Sequence, residues 1–131
     1  MSEHGTYDLV MGVYNGVELE APVDFWKIPD DAFEGGCGPG KYGDLAVPDS
    51  FYFLNMRFCC LIHDIMYAEG KTEHDKVIAD RTFLDNMLAY IEAKSANAFM
   101  IWLREGQALK YYQAVRWCGH DSFWHDKVVS A

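Results

Sequence analysis

The sequence predicts a mainly α domain: two antiparallel core helices, a third helix, a glycine-rich loop and a small N-terminal β-hairpin. Three observations predict it. Apolar residues recur at helical spacing in three stretches between Pro48 and Trp117. An Asn-Gly pair joins two short apolar runs near the N-terminus. Between them, glycines and prolines punctuate a segment too broken for a helix or a central strand. At 131 residues the chain has room for one core. It is read as a single domain, 1–131, with a hairpin and lead-in over 1–35, a loop over 36–48, a helix pair over 49–94 and a C-terminal helix and tail over 95–131.

Each element has its own warrant. Val13-Tyr14-Asn15-Gly16-Val17-Glu18-Leu19 suits a type I′ turn, because Asn and Gly tolerate the positive φ it needs at both central positions. From Pro22 to about Asp49 the chain carries Pro29, Gly35, Gly36, Gly38, Pro39, Gly40, Gly43 and Pro48, which predicts a long loop. A first helix follows, capped by Asp49 or Ser50 and stopped at Gly70, with Met56, Cys59 or Cys60, His63 and Tyr67 along it. Lys71 to Asp75 reads as a polar connector. A second helix runs from about Lys76 to Lys94 with the stripe Val77, Leu84, Met87, Leu88 and Ile91. A third runs from about Asn97 to Trp117, carrying Phe99, Trp102, Leu109, Tyr112 and Val115.

Composition bounds the function. Half the residues are hydrophobic, 15% are aromatic and 24% are charged, which is the profile of a folded domain and not of a disordered tail. Eleven Lys and Arg against twenty Asp and Glu give a net charge of -9. That balance repels phosphate backbones, so binding nucleic acid through counterion release is excluded. It also argues against strongly anionic membranes and favours a cation as partner. No apolar run approaches the roughly 20 residues that span a bilayer, and Met1-Ser2-Glu3-His4-Gly5 lacks the basic start of a secretory signal. These features fit a cytosolic or virion-associated protein, one secreted by a non-classical route, or a part of a larger effector.

The four cysteines are Cys37, Cys59, Cys60 and Cys118. Neighbouring cysteines rarely bridge each other, which leaves 37–59 with 60–118, or 37–60 with 59–118. No C-x2-C or H-x3-H spacing supports zinc instead. Four of the five histidines precede an aspartate: His63-Asp64, His74-Asp75, His120-Asp121 and His125-Asp126. Context separates them. His74-Asp75 reads as a solvated turn, and His120 and His125 as a frayed tail.

His63-Asp64 stands inside the apolar run Phe58 to Tyr67, where a buried carboxylate needs a cation or several donors. His63 and Tyr67 share a helix face, while Asp64 is turned about 100° away. On the next helix Asp80 falls on the apolar stripe and Asp85 one step off it, in solvent. His63 and Asp80 therefore face each other, and the economical pairing is a hydrogen bond that fixes the imidazole tautomer and makes its other nitrogen a general base. The plain alternative is a satisfied core His–Asp pair. The loop Glu34-Gly35-Gly36-Cys37-Gly38-Pro39-Gly40 could turn carbonyls inward, a donor set suited to a hard cation such as Ca2+. It has neither the EF-hand nor the P-loop pattern.

At these positions the sequence resembles the phospholipase A2 superfamily. Cys59-Cys60-Leu61-Ile62-His63-Asp64-Ile65-Met66-Tyr67 matches the family's C-C-x-x-H-D-x-x-Y helix, and Cys37-Gly38-Pro39-Gly40 resembles its C-G-x-G calcium loop. The G-P-G version and Ala79-Asp80-Arg81-Thr82-Phe83-Leu84 are most similar to the phospholipase domain of parvovirus capsid proteins. The motifs span about Gly36 to Ile91.

The resemblance implies Ca2+-dependent hydrolysis of the sn-2 ester of phospholipids at a bilayer or micelle surface. His63 would be the base, Asp80 its orienter and Tyr67 a donor to Asp80. Asp64 and the carbonyls of Gly36, Gly38 and Gly40 would hold Ca2+, and the Gly38 N–H would meet the oxyanion. It also implies a Cys37–Cys60 bridge, leaving Cys59 to pair with Cys118. Phe25, Trp26, Phe123 and Trp124 are the expected apolar rim at the membrane. The chain departs from the secreted enzymes in starting with a hairpin and having few cysteines, and its Tyr111 to Phe123 segment has no place in their framework. It fits a bacterial, phage or viral branch. A second reading is a catalytically silent relative that binds lipid or protein through the same scaffold. A transition-metal phosphohydrolase would need a further helical histidine before His63, and only His4 precedes it.

Overall fold

A computed structural model describes residues 5–27, 50–51, 54–125 and 127. The chain opens with β1 (Leu9–Tyr14) and β2 (Val17–Pro22), an antiparallel hairpin in which Tyr14 faces Val17 across the turn. Asn15 and Gly16 both hold positive φ, 53° and 82°, as the Asn-Gly pair predicts. β2 alternates as a half-buried strand should: Val17, Leu19 and Ala21 point into the core, and Glu18 points out. A single 3-10 turn, Phe25–Lys27, lies within the segment read as loop. The glycine-rich remainder, including Gly36, Cys37, Gly38 and Gly40, lies outside the described residues.

The helical part differs from expectation in its boundaries. Ser50–Phe51 (β3) pairs antiparallel with Leu54–Asn55 (β4), where the sequence predicts helix. The helix α1 spans Arg57–Glu69, and neither Asp49 nor Ser50 caps it, because it begins seven residues after Ser50. α2 spans Glu73–Lys94, starting inside the predicted connector. The reason is a capping box: the Asp75 amide donates to the Thr72 hydroxyl, and Asp75 reaches back to the Thr72 amide. α3 spans Ala98–Cys118, capped by Asn97, and a short α4 covers His120–Trp124.

The helices α1 and α2 run antiparallel, since residues later in α1 meet residues earlier in α2. His63 stacks on Phe83, while Tyr67 lies beside Lys76. One core joins the hairpin, α1, α2 and the inner side of α3, and includes Leu19, Phe25, Met56, Ile62, Met66, Phe83, Met87 and Ile91. Asn86 ties β2 to α2, its amide accepting from the Glu20 N–H and donating to the Glu20 carbonyl, both at 2.8 Å. Trp26 lies flat over Gly12, where a Cβ would enter the indole ring, and its Nε1–H donates to the Val10 carbonyl at 3.3 Å.

Several faces turn out differently from their sequence reading. On α2, Met87 and Ile91 are buried, Leu84 and Leu88 are half-buried, and Val77 is 37% exposed. On α3 the buried line is Arg104, Ala108, Tyr111 and Val115, so Phe99, Trp102 and Leu109 lie outside. Apolar residues occur on every side of α3, and spacing alone cannot choose among them. The C-terminal segment does not fray at α4: Phe123 is fully buried, edge-on to Tyr67 at 5.2 Å and packed against Gly70. Among the described residues no helix is long and apolar enough to cross a membrane.

Candidate active site

His63 and Tyr67, four apart on α1, and Lys76 and Asp80, four apart on α2, converge on one point in the core. His63 Nε2 lies 2.9 Å from Asp80 Oδ1, which also accepts from the Tyr67 hydroxyl at 2.7 Å. The other carboxylate oxygen, Oδ2, accepts from Lys76 Nζ at 2.9 Å. Asp80 and His63 are both 0% exposed, and Lys76 is 5% exposed. A carboxylate can only accept, so Nε2 of His63 carries a proton and donates to Asp80. The imidazole is sandwiched between Phe83, stacked at 4.4 Å, and Tyr67, tilted at 4.2 Å, which fixes the ring plane.

Electrostatics keep Asp80 ionised. Burial alone would raise the Asp80 carboxyl, but the contacts with His63, Lys76 and Tyr67 outweigh it and hold the group below the usual carboxylate range. Among the described residues every buried side-chain nitrogen or oxygen has a partner. The arrangement holds an ionised carboxylate against the imidazole, where it would stabilise positive charge on the ring.

Lys76 escapes the sequence reading, which takes it for the start of a helix. It is the buried cation of the cluster, and it also donates to the carbonyls of Val115 at 3.1 Å and Arg116 at 3.3 Å. The last turn of α3 is thereby fastened to Asp80. The signal was a Lys four residues before an Asp on one helix face. Gly119 completes the approach: a Cβ there would stand 2.6 Å from the Tyr67 hydroxyl oxygen.

The remaining expected site residues divide. Asp64 is half-buried on α1, one position from His63 and off the face shared with Tyr67. Its carboxylate suits a hard cation; the carbonyls of Gly36, Gly38 and Gly40 and the Gly38 N–H lie outside the described residues. Asp85 is exposed, as its helical phase predicts. Asp75 is not a solvated turn residue. It is 0% exposed and accepts from the Thr6 hydroxyl and from the amides of Thr6, Lys71 and Thr72. Burial raises its carboxyl and these donors more than reverse that, leaving it below the usual range.

The Cys59–Cys118 pairing does not form: both are free thiols, Cys59 buried and Cys118 exposed. Geometry explains it. Gly119 adjoins Tyr67, and Cys59 lies eight residues before Tyr67, about 12 Å along the helix axis, beyond the reach of a disulfide. Cys60 carries no titratable thiol, and the partner implied for it, Cys37, lies outside the described residues. The expected membrane rim is also displaced, since Phe25 and Phe123 are core residues and Trp26 and Trp124 are half-buried. A cavity of about 320 Å3 lies away from the dyad, lined by residues 6–8 and 22–24 with Glu69 and Lys71.

No protein-family model, no curated protein and no solved structure matches the chain.

Proposed function

We propose that the chain is a Ca2+-dependent phospholipase A2, hydrolysing the sn-2 ester of phospholipids to a fatty acid and a lysophospholipid. The observation that carries this reading is the buried Tyr67–Asp80–His63 chain, in which Asp80 takes Nε2 and the role of base falls to Nδ1. Nδ1 accepts a proton as the water oxygen bonds to the sn-2 carbonyl carbon. Asp80, held ionised by Lys76 and Tyr67, stabilises the imidazolium. The proton then passes to the glycerol oxygen as the ester C–O bond breaks. Asp64 and the carbonyls of Gly36, Gly38 and Gly40 would hold the metal, and a Cys37–Cys60 bridge would tie their loop to α1. When bound, Ca2+ supplies a seat for the phosphate and charge stabilisation for the carbonyl oxygen.

The test is release of fatty acid and lysophospholipid from mixed phospholipid vesicles, with Ca2+ and with chelator. Hydrolysis that requires Ca2+ and disappears in His63→Gln supports the reading. A folded wild type that binds Ca2+ and releases neither product overturns it in favour of a silent lipid- or protein-binding relative.

A further inference from the structure

The helix α3 leaves an apolar face in solvent. Phe99 is 64% exposed, Trp102 69%, Leu109 47% and Trp117 76%. At 3.6 residues per turn these four share an arc of about 80° with Gly106 and Gln113, opposite the buried line Arg104, Ala108, Tyr111 and Val115. The line runs about 27 Å from Phe99 to Trp117. Exposed large apolar residues scattered singly need no explanation, but an aromatic line along one helix does.

Charge indicates what covers it. The chain carries a net -9, yet Lys110 and Arg116, both exposed, border the aromatic arc one on each side. The only acid on α3, Glu105, lies farther round than Arg116 and is half-buried. Arg116 also sits over the Trp117 ring at 5.6 Å, and Phe99 neighbours Trp102 at 6.2 Å. Cations flanking a Trp- and Phe-rich face are the composition of a helix that lies in a membrane interface, rings at headgroup depth and ammonium and guanidinium groups on lipid phosphates. Net charge alone hides this face, since α3 itself carries three bases and one acid.

We propose that α3 docks the protein on an anionic phospholipid surface through Phe99, Trp102, Leu109 and Trp117, with Lys110 and Arg116 engaging the headgroups. Docking is independent of the hydrolysis reading, since it needs neither Ca2+ nor turnover.

The experiment is co-sedimentation of the full chain with phosphatidylcholine vesicles, with and without phosphatidylglycerol, in EDTA. Wild type is expected to bind the phosphatidylglycerol vesicles at least about tenfold more tightly than phosphatidylcholine alone. The double variant Trp102→Ser/Trp117→Ser, altered only at exposed positions, should lose at least tenfold in affinity for the phosphatidylglycerol vesicles, with its circular dichroism unchanged. Lys110→Glu/Arg116→Glu should lose the preference for phosphatidylglycerol. Equal binding by wild type and the tryptophan variant overturns the proposal. So does a wild-type dimer in sedimentation equilibrium that the tryptophan variant abolishes without any change in vesicle binding, because the face then belongs to a second copy.

Discussion

Asp80 accepts from three side chains at once, and the consequences of changing it depend on which partner is left behind. His63→Gln keeps volume and removes the base; hydrolysis should fall by about 10^2–10^4-fold while circular dichroism stays native. Asp80→Asn should retain more activity than His63→Gln, since the amide oxygen can still hold the ring. It should be the less stable of the two, because Lys76 loses its counter-ion in the core. Breaking a buried pair costs about 3–5 kcal/mol, read in thermal or urea melts. Lys76→Met in the Asp80→Asn background should recover part of that loss, a coupling that a double-mutant cycle measures directly. Asp85→Asn and His74→Gln, both at exposed positions, should leave rate and stability unchanged. The two free thiols should differ in reactivity. Burial pushes the Cys59 thiol up to about 12, so alkylation of the native protein at neutral pH should label Cys118 and spare Cys59, as peptide mapping would show.

At the scale of elements, what was legible and what was not follow from the range of the forces involved. The hairpin was readable because Asn15-Gly16 fixes it within four residues, and the His63–Asp80 pairing because two polar groups interrupt apolar stripes on consecutive helices. The start of α2 was not. Asp75 looks like a solvated connector residue until Thr6, 69 positions away, supplies two of its hydrogen bonds. The phase of α3 was hidden for a different reason: with aromatic residues on both its faces, only the position of α2 decides which are buried. Asn86 is one polar residue on a helix in the sequence, yet it stands in for a sheet partner to Glu20. Asn86→Ala leaves that N–H and C=O without their partner, and should destabilise by about 2 kcal/mol. The loss should appear as faster amide exchange in β1 and β2 than in α2.

At the scale of the molecule, two fully buried carboxylates among the described residues weaken the fold in acid. Asp75 and Asp80 both titrate below their unfolded value, which lies near 3.9. Their stabilisation is therefore present above that value and is lost as pH falls through their folded-state range. Thermal melts from pH 7 to pH 3 should show a steep loss below about pH 4, shallower in Asp75→Asn, whose melting temperature is already lower at pH 7. Ca2+ should raise the melting temperature of the wild type by mass action and leave that of Asp64→Asn unchanged. Equal melting of the wild type in EDTA and in millimolar Ca2+ would remove the calcium site from the proposal.

The long reach of the hairpin's ties also bears on how the chain is made. Asn15 donates to the Tyr90 hydroxyl, 75 positions on, and Thr6 to Asp75. On a ribosome, β1 and β2 can zip about Asn15-Gly16 within microseconds, but the surface that receives Val17, Leu19 and Ala21 is completed only when α2 emerges. At about 5–20 residues per second that is a delay on the order of ten seconds. For that interval the apolar side of the hairpin has no surface to pack on, and an isolated two-stranded hairpin is marginal in water. Val17, Leu19 and Ala21 are therefore exposed to other chains until α2 is made.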